Sequence, residues 1–219
     1  IPVATIMGAS DSLLNSKLPA DVQNVLSNEI FTASVRLNRL IENLLNMSRL
    51  ESGKLLVAPD WCDINYLFTK VIDDLKDELR FFKVKVSIPE NMPLVKIDFG
   101  LMEQVLYNLV FNSTQYANPL TCIDLSSDIE NNELLIRVKD EGPGFSDEAL
   151  QHLFTKFYRV KGSKTGGLGL GLSIVKGFVE AHAGKVSVEN NHQRGAVFSI
   201  RIPTEVADIK NLILLDDHE

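Results

Sequence analysis

The sequence predicts an α+β fold headed by a helical hairpin, and three observations carry that reading. From Ala20 to about Ser52, apolar residues recur at alternating steps of four and three, the spacing of one long helix. Beyond Gly53 this pattern gives way to shorter helical stretches and alternating strand stretches. Those pieces follow one another without the regular strand–helix–strand order of a parallel sheet, so a mostly antiparallel sheet mixed with helices is expected.

The bulk properties narrow the class of protein. The chain has 219 residues, 45% of them hydrophobic, and a net charge of -7. That composition supports a real core, while the acidic balance argues against nucleic-acid or anionic-membrane binding by bulk charge. Cys62 and Cys122 stand far apart with no C-x-x-C, which reads as buried free thiols in a reducing compartment. No apolar run reaches the roughly 20 residues of a membrane span, and no signal peptide is recognisable. The sequence opens at Ile1 without Met and reads as a piece of a longer protein, working in the cytoplasm.

Each element has its own signal. Val3, Ile6, Met7, Ser10, Leu13 and Leu14 recur at helical spacing, and Lys17 and Pro19 mark a turn. The long helix carries Leu26, Ile30, Ala33, Leu37, Leu40, Leu44 and Met47 as a heptad seam, with Asp21 or Ser16 as cap and Gly53 as stop. Two helices cannot bury that seam alone, so pairing with a second copy into a four-helix bundle is expected. After "LLVAPDWCD", Asp63 caps a helix running from Ile64 to Phe82. "VKVSI" alternates as a strand, and Pro89 and Pro93 bound a loop. Asp98 caps a helix to about Gln115, with Leu101, Val105, Leu106 and Leu109 inward. Strands at 122–130 and 133–139 flank Asn131-Asn132 as a hairpin. A short helix near 147–154, a helix to about Ala181, and strands at 185–189 and 196–202 complete the series.

Three motifs carry chemistry. Asn108 and Asn112 lie four apart on one helix face and offer neutral oxygens suited to a hard cation such as Mg²⁺. "VKDEGPGF" ends a strand on Asp140, which suits the exocyclic amine of a base, while Gly142 and Gly144 let a flat ring approach the backbone. "FTKFYRVKGSKTGGLGLGLSIV" leads Lys156, Arg159, Lys161 and Lys164 into glycines and a helix start, a setting for polyphosphate. The glycine run fits neither a Walker loop nor a dinucleotide fingerprint, because Leu172 stands where each needs another residue. So many glycines also suit a movable lid.

"NLVFNSTQY", "DEGPG", "FTKFYR" and "GGLGLGL" resemble, in order and spacing, the asparagine, first glycine, phenylalanine and second glycine boxes of sensor histidine kinases. "IENLLNMSRLESGKL" resembles the end of the dimerisation and histidine-phosphotransfer hairpin of that family, and "GLGLGLSIVKGFVEAHAG" is similar to its Kdp-type potassium-responsive members. The resemblance implies a two-layer α/β sandwich of the GHKL (Bergerat) type over 54–203, a hairpin over 1–53 that forms a dimeric four-helix bundle, and a C-terminal extension over 204–219. It implies ATP and Mg²⁺ as cofactors, a cognate response regulator as partner, and a parent sensor at the inner membrane. Asn112 would bind Mg²⁺, Asn108 would lie by the phosphates, and Gln115 would stand where the family often has a phosphate-touching Lys. Tyr116, Asp140, Gly142 and Gly144 would form the adenine pocket. Gly167, Leu168, Gly169, Leu170, Gly171 and Leu172 would form the closing end of the ATP lid. Arg159 and Lys156 would compensate γ-phosphate charge.

Departures from the pattern sharpen the expectation. Gln115 removes one cation, for which Lys161 or Lys164 would substitute. His152, His182, His192 and His218 are the histidines present, and none heads the family's His-Glu/Asp-x-x-x-Pro phosphoacceptor pattern. ATP-binding machinery without its own acceptor is therefore expected. In the related gyrase and MutL ATPases a catalytic Glu precedes the Mg²⁺-binding Asn by four. Here Asn108 holds that place and cannot take a proton from water, and Glu103 is not expected to replace it. The tail "LILLDDHE" resembles the start of a receiver domain with Asp216 and Asp217, although a plain extension is preferred. Two function classes stay open: a kinase core, or a docking module that binds partners without transfer.

Overall fold

A computed structural model describes residues 2–15, 17–160, 168–192 and 194–207. Ser16, Lys161, Lys164, Gly167 and the tail segment with Asp216, Asp217 and His218 lie outside the described residues.

Helix α1 (Pro2–Asn15) and helix α2 (Ala20–Glu51) pack as the expected hairpin. Asp21 is not the cap of α2. Pro19 occupies that place in extended backbone with no side-chain cap, and Asp21 falls inside the first turn. Gln23 closes this end instead, its Nε2 donating to Leu18 O at 2.9 Å. At the other end Gly53 adopts φ +64, and the N–H of Lys54 returns to Arg49 O at 3.2 Å. Only glycine takes that left-handed backbone at little cost, which is why the helix stops there. Of the seam, Ala33 and Met47 are buried, whereas Leu44 is 50% exposed.

Strand β1 (Asp60–Cys62) leads to α3 (Ile64–Asp74), capped as expected by Asp63, whose carboxylate accepts from Asn65 N at 2.8 Å. The single helix expected to Phe82 is broken. Leu75 leaves helical backbone at φ -106, and the short α4 (Lys76–Leu79) follows. The bend keeps both Leu75 and Leu79 in the core, so burial overrides an unbroken helical period. Next come β2 (Lys83–Ser87), β3 (Leu94–Ile97), α5 (Phe99–Tyr116), β4 (Cys122–Glu130), β5 (Glu133–Lys139), α6 (Asp147–His152), α7 (Gly171–Ala181), β6 (Lys185–Asn190), β7 (Ala196–Pro203) and β8 (Val206–Ala207).

The main sheet has the order β2-β4-β5-β7-β6, with only the β2–β4 pair parallel. Asn131 and Asn132 both take positive φ, the backbone of the two-residue turn that joins β4 to β5. A second, small sheet runs β1-β3-β8. Sequence reading did not isolate β3 or β8, because a strand of two to four residues carries too little alternation to register.

The sheet's inward side chains, among them Ile123, Leu125, Ile136, Val138 and Phe198, share one core with Leu67, Phe68, Leu106, Leu109, Ile174 and Phe178 of the helices. Each such side chain contributes about 1.5–3 kcal/mol by leaving water. The result is the two-layer α/β sandwich, with α5 and α7 packed together against the sheet. Both cysteines are free. Burial first, and the neighbouring Asp63 second, push the Cys62 thiol up to about 12, which keeps it protonated and inert. No described helix is long and apolar enough to cross a membrane.

Candidate functional site

The site forms where α5, the turn after β5 and the start of α7 meet. Both helices are anchored at their far ends. Asp98 caps α5 by accepting from Leu101 N at 3.0 Å, and its own N–H donates to His182 Nε2 at 3.1 Å. The other ring nitrogen, Nδ1, faces Phe178 O at 2.7 Å. His182 therefore carries its proton on Nδ1 and ties the end of α7 to the beginning of α5.

At the near end, Asn108 donates from Nδ2 to Gln104 O at 2.9 Å, which turns its Oδ1 toward α7. That oxygen lies 3.2 Å from where a Cβ on Gly171 would stand. Glycine at the first residue of α7 thus allows a close approach. Leu170 precedes it without a side-chain cap, so the first N–H groups of α7 lack helical partners and the helix carries its positive end here. Asn112 lies one turn further along α5, half-buried. Gln115 donates to Thr114 Oγ1 at 3.2 Å.

Asp140 sits at the end of β5 and is buried. Its Oδ1 accepts from Gly142 N at 2.8 Å and from Ala196 N at 3.3 Å. Burial holds its carboxyl above the usual carboxylate range, opposed by those two N–H groups and by the Ser113 hydroxyl. A Cβ on Gly142 would stand 2.9 Å from Asp140 Oδ1 and 3.5 Å from Tyr116 O, so the backbone beside the carboxylate has to be free of a side chain. Gly144 takes φ +73 against Asn190, whose side chain clamps Phe145 by accepting from its N at 2.8 Å and donating to its O at 2.7 Å.

The described end of the glycine run is also anchored. Gly169 takes φ +72, and its carbonyl accepts from Phe157 N at 3.0 Å. Leu170 is buried, Leu172 packs on the core, and Leu168 stays exposed. Arg159 is exposed on the same loop. Lys156 directs its ammonium to Glu51 of α2, with Nζ–Oε1 at 2.5 Å. Glu103 faces α3 instead of Asn108: its carboxylate lies 3.7 Å from Lys70 Nζ, and burial first, then a hydrogen bond with Asp74, hold it above the usual range.

The structure thus brings Asn108, Gly142, Tyr116, Asp140, Gly169 and Gly171 into one region built on α5 and α7. Sequence reasoning missed Ser113, Asn190 and Gly195. A Cβ on Gly195, at φ +90, would collide with the carbonyl of Asp140. In sequence this glycine precedes a strand like any turn glycine, and only the pairing of Asp140 with Ala196 shows why it is needed.

Residues 98–206 match the family described as Histidine kinase-, DNA gyrase B-, and HSP90-like ATPase. Residues 1–53 match the His Kinase A (phospho-acceptor) domain. The chain is 32% identical over 211 residues to Sensor protein KdpD of Clostridium acetobutylicum, covering 94% of this chain and 23% of that protein. It is 30% identical over 214 residues to Sensor protein SrrB of Staphylococcus aureus (strain N315), covering 92% and 36% respectively. Full-length ShkA, solved in complex with AMPPNP, shares the fold at TM-score 0.74 and 23% identity, over 94% of this chain and 44% of that one. Fold and site therefore define a member of the histidine kinase and gyrase ATPase class behind a phospho-acceptor hairpin. More narrowly, the chain belongs to the sensor histidine kinases, with Kdp-type sensors among its relatives. It spans between 23% and 36% of the length of these two relatives.

Proposed function

We propose that this chain is the ATP-binding catalytic core of a sensor histidine kinase, serving transfer of a γ-phosphoryl group to a histidine and onward to a response-regulator aspartate. The observation that carries the reading is the buried Asp140 beside side-chain-free backbone at Gly142. A flat base with an exocyclic amine fits there, since the carboxylate accepts and no Cβ intrudes. Tyr116 and Gly144 would complete that pocket. Asn108 Oδ1 and the N-terminus of α7 suit phosphate and its counter-ion, with Asn112 as the Mg²⁺ ligand. The metal, when bound, neutralises phosphate charge. Leu168, Gly169, Leu170, Gly171 and Leu172 would close over the phosphates, while Arg159 and Lys156 compensate charge as transfer proceeds. Neither Asn108 nor Glu103 is placed to activate water, so the site is suited to hold ATP for an incoming imidazole.

The division at 1–53, 54–203 and 204–219 follows the same reading. Val25, Phe31, Val35, Leu44 and Leu45 leave apolar surface on α2, which supports a homodimer through a four-helix bundle. The parent is proposed as an inner-membrane sensor with this part in the cytoplasm.

Calorimetric titration of ATP, with and without Mg²⁺, into the chain and into Asn112→Ala tests the proposal. Mg²⁺-dependent binding that Asn112→Ala weakens is expected. No Mg²⁺-dependent binding would instead favour the docking module, the reading to which Gln115 points.

A further inference from the structure

We propose that Glu51 competes with nucleotide phosphate for Lys156, so that docking of the hairpin on the ATP-binding domain and nucleotide binding oppose each other. The inference rests on the nucleotide reading above and adds a regulatory contact to the same site.

The geometry ties one lysine to two places. Lys156 precedes Phe157, whose N–H is held by the Gly169 carbonyl two residues before α7 begins. Its ammonium nonetheless points away, to Glu51 in the last turn of α2. Three other contacts hold α2 in place. Leu50 lies on Gly177, where a Cβ would stand 2.6 Å from Leu50 Cδ1. The buried Asn46 donates from Nδ2 to Gln104 Oε1 at 2.6 Å. The Arg39 guanidinium stands 4.1 Å over the Tyr107 ring. One of these contacts leads straight to the site, because the backbone carbonyl of Gln104 takes the Asn108 amide.

The docked arrangement is built to be left. Glu51 and Lys156 side chains are 57% and 47% exposed, and an ion pair so wetted is weak. A phosphate offers the same ammonium more charge and more acceptor oxygens. Lysine, a point charge on a flexible stem, exchanges such partners easily. Linkage makes the effect reciprocal: whatever hairpin docking takes from nucleotide affinity, nucleotide takes from docking.

The test uses the full chain and its variants Glu51→Gln, Lys156→Gln and the swap Glu51→Lys with Lys156→Glu. Affinity for Mg²⁺·ATP is read by calorimetry, and hydrogen exchange over residues 46–51 reads docking. Glu51→Gln is expected to tighten binding by about two- to five-fold, the range of an exposed ion pair. Lys156→Gln weakens binding, and the swap restores slow exchange while binding no better than Lys156→Gln. Nucleotide speeds exchange over 46–51 in the unmodified chain. Unchanged or weaker affinity in Glu51→Gln, or exchange that nucleotide leaves alone, overturns the competition while the nucleotide reading stands. An unmodified chain that does not bind Mg²⁺·ATP at all overturns both.

Discussion

Asp140→Asn separates recognition from folding, and the structure says by how much. The Oδ1 contacts to Gly142 N and Ala196 N survive, since an amide oxygen accepts as a carboxylate oxygen does. The second oxygen becomes an NH₂ donor that would face the donor amine of adenine. Losing a charge-assisted hydrogen bond and opposing two donors costs about 2–4 kcal/mol, on the order of 30- to 700-fold in ATP affinity. The fold is affected in the other direction. Burial raises the Asp140 pKa above its ordinary value. Its favourable contribution is thus fully present below the unfolded pKa and lost as pH rises through the folded one. Above the folded pKa the ionised, buried carboxylate is a net cost, so a neutral amide leaves the melting temperature there unchanged or higher. Calorimetry with ATP, beside a thermal melt at pH 7, measures both quantities. Wild-type ATP affinity in Asp140→Asn, or a fold lost with the substitution, would refute the reasoning.

Other outcomes follow from the same geometry. ATP affinity in the unmodified chain falls on acidification through the raised Asp140 pKa, so the loss begins above the usual carboxylate range; titrations across pH 4–7 at constant ionic strength measure it (roughly the interval above a model carboxylate). Gly195→Ala forces a Cβ into the Asp140 carbonyl at φ +90; a loss of about 2–3 kcal/mol in urea unfolding is expected, and a neutral result would show that the turn relaxes freely. Incubation of this chain with labelled ATP yields no acid-labile phosphohistidine, because none of its four histidines heads the acceptor pattern. Glu103→Ala leaves steady-state ATP hydrolysis at its low starting rate, as expected of a carboxylate that faces Lys70.

Most of the architecture was legible because its signals are local. The helical spacing of α2, the Asp63 and Asp98 caps and the Asn131-Asn132 turn each act through residues a few positions apart, and the helix, the caps and the turn appear in the structure. The break at Leu75 and the strands β3 and β8 did not show, since burial in a shared core decided them. The motif asparagines and glycines were visible from spacing, but the orientation of Asn108 was not.

The sequence by itself determined the hairpin, the α+β class and the order of the four kinase motifs. Tertiary structure alone decided three things: that Gly195 must lack a side chain to pass Asp140, that His182 joins α7 to α5, and that Lys156 meets Glu51. The residues of each pair are far apart in the chain and meet only through packing. A pattern of neighbours records helices, caps and turns, whereas contacts across the core are set by how the elements stack.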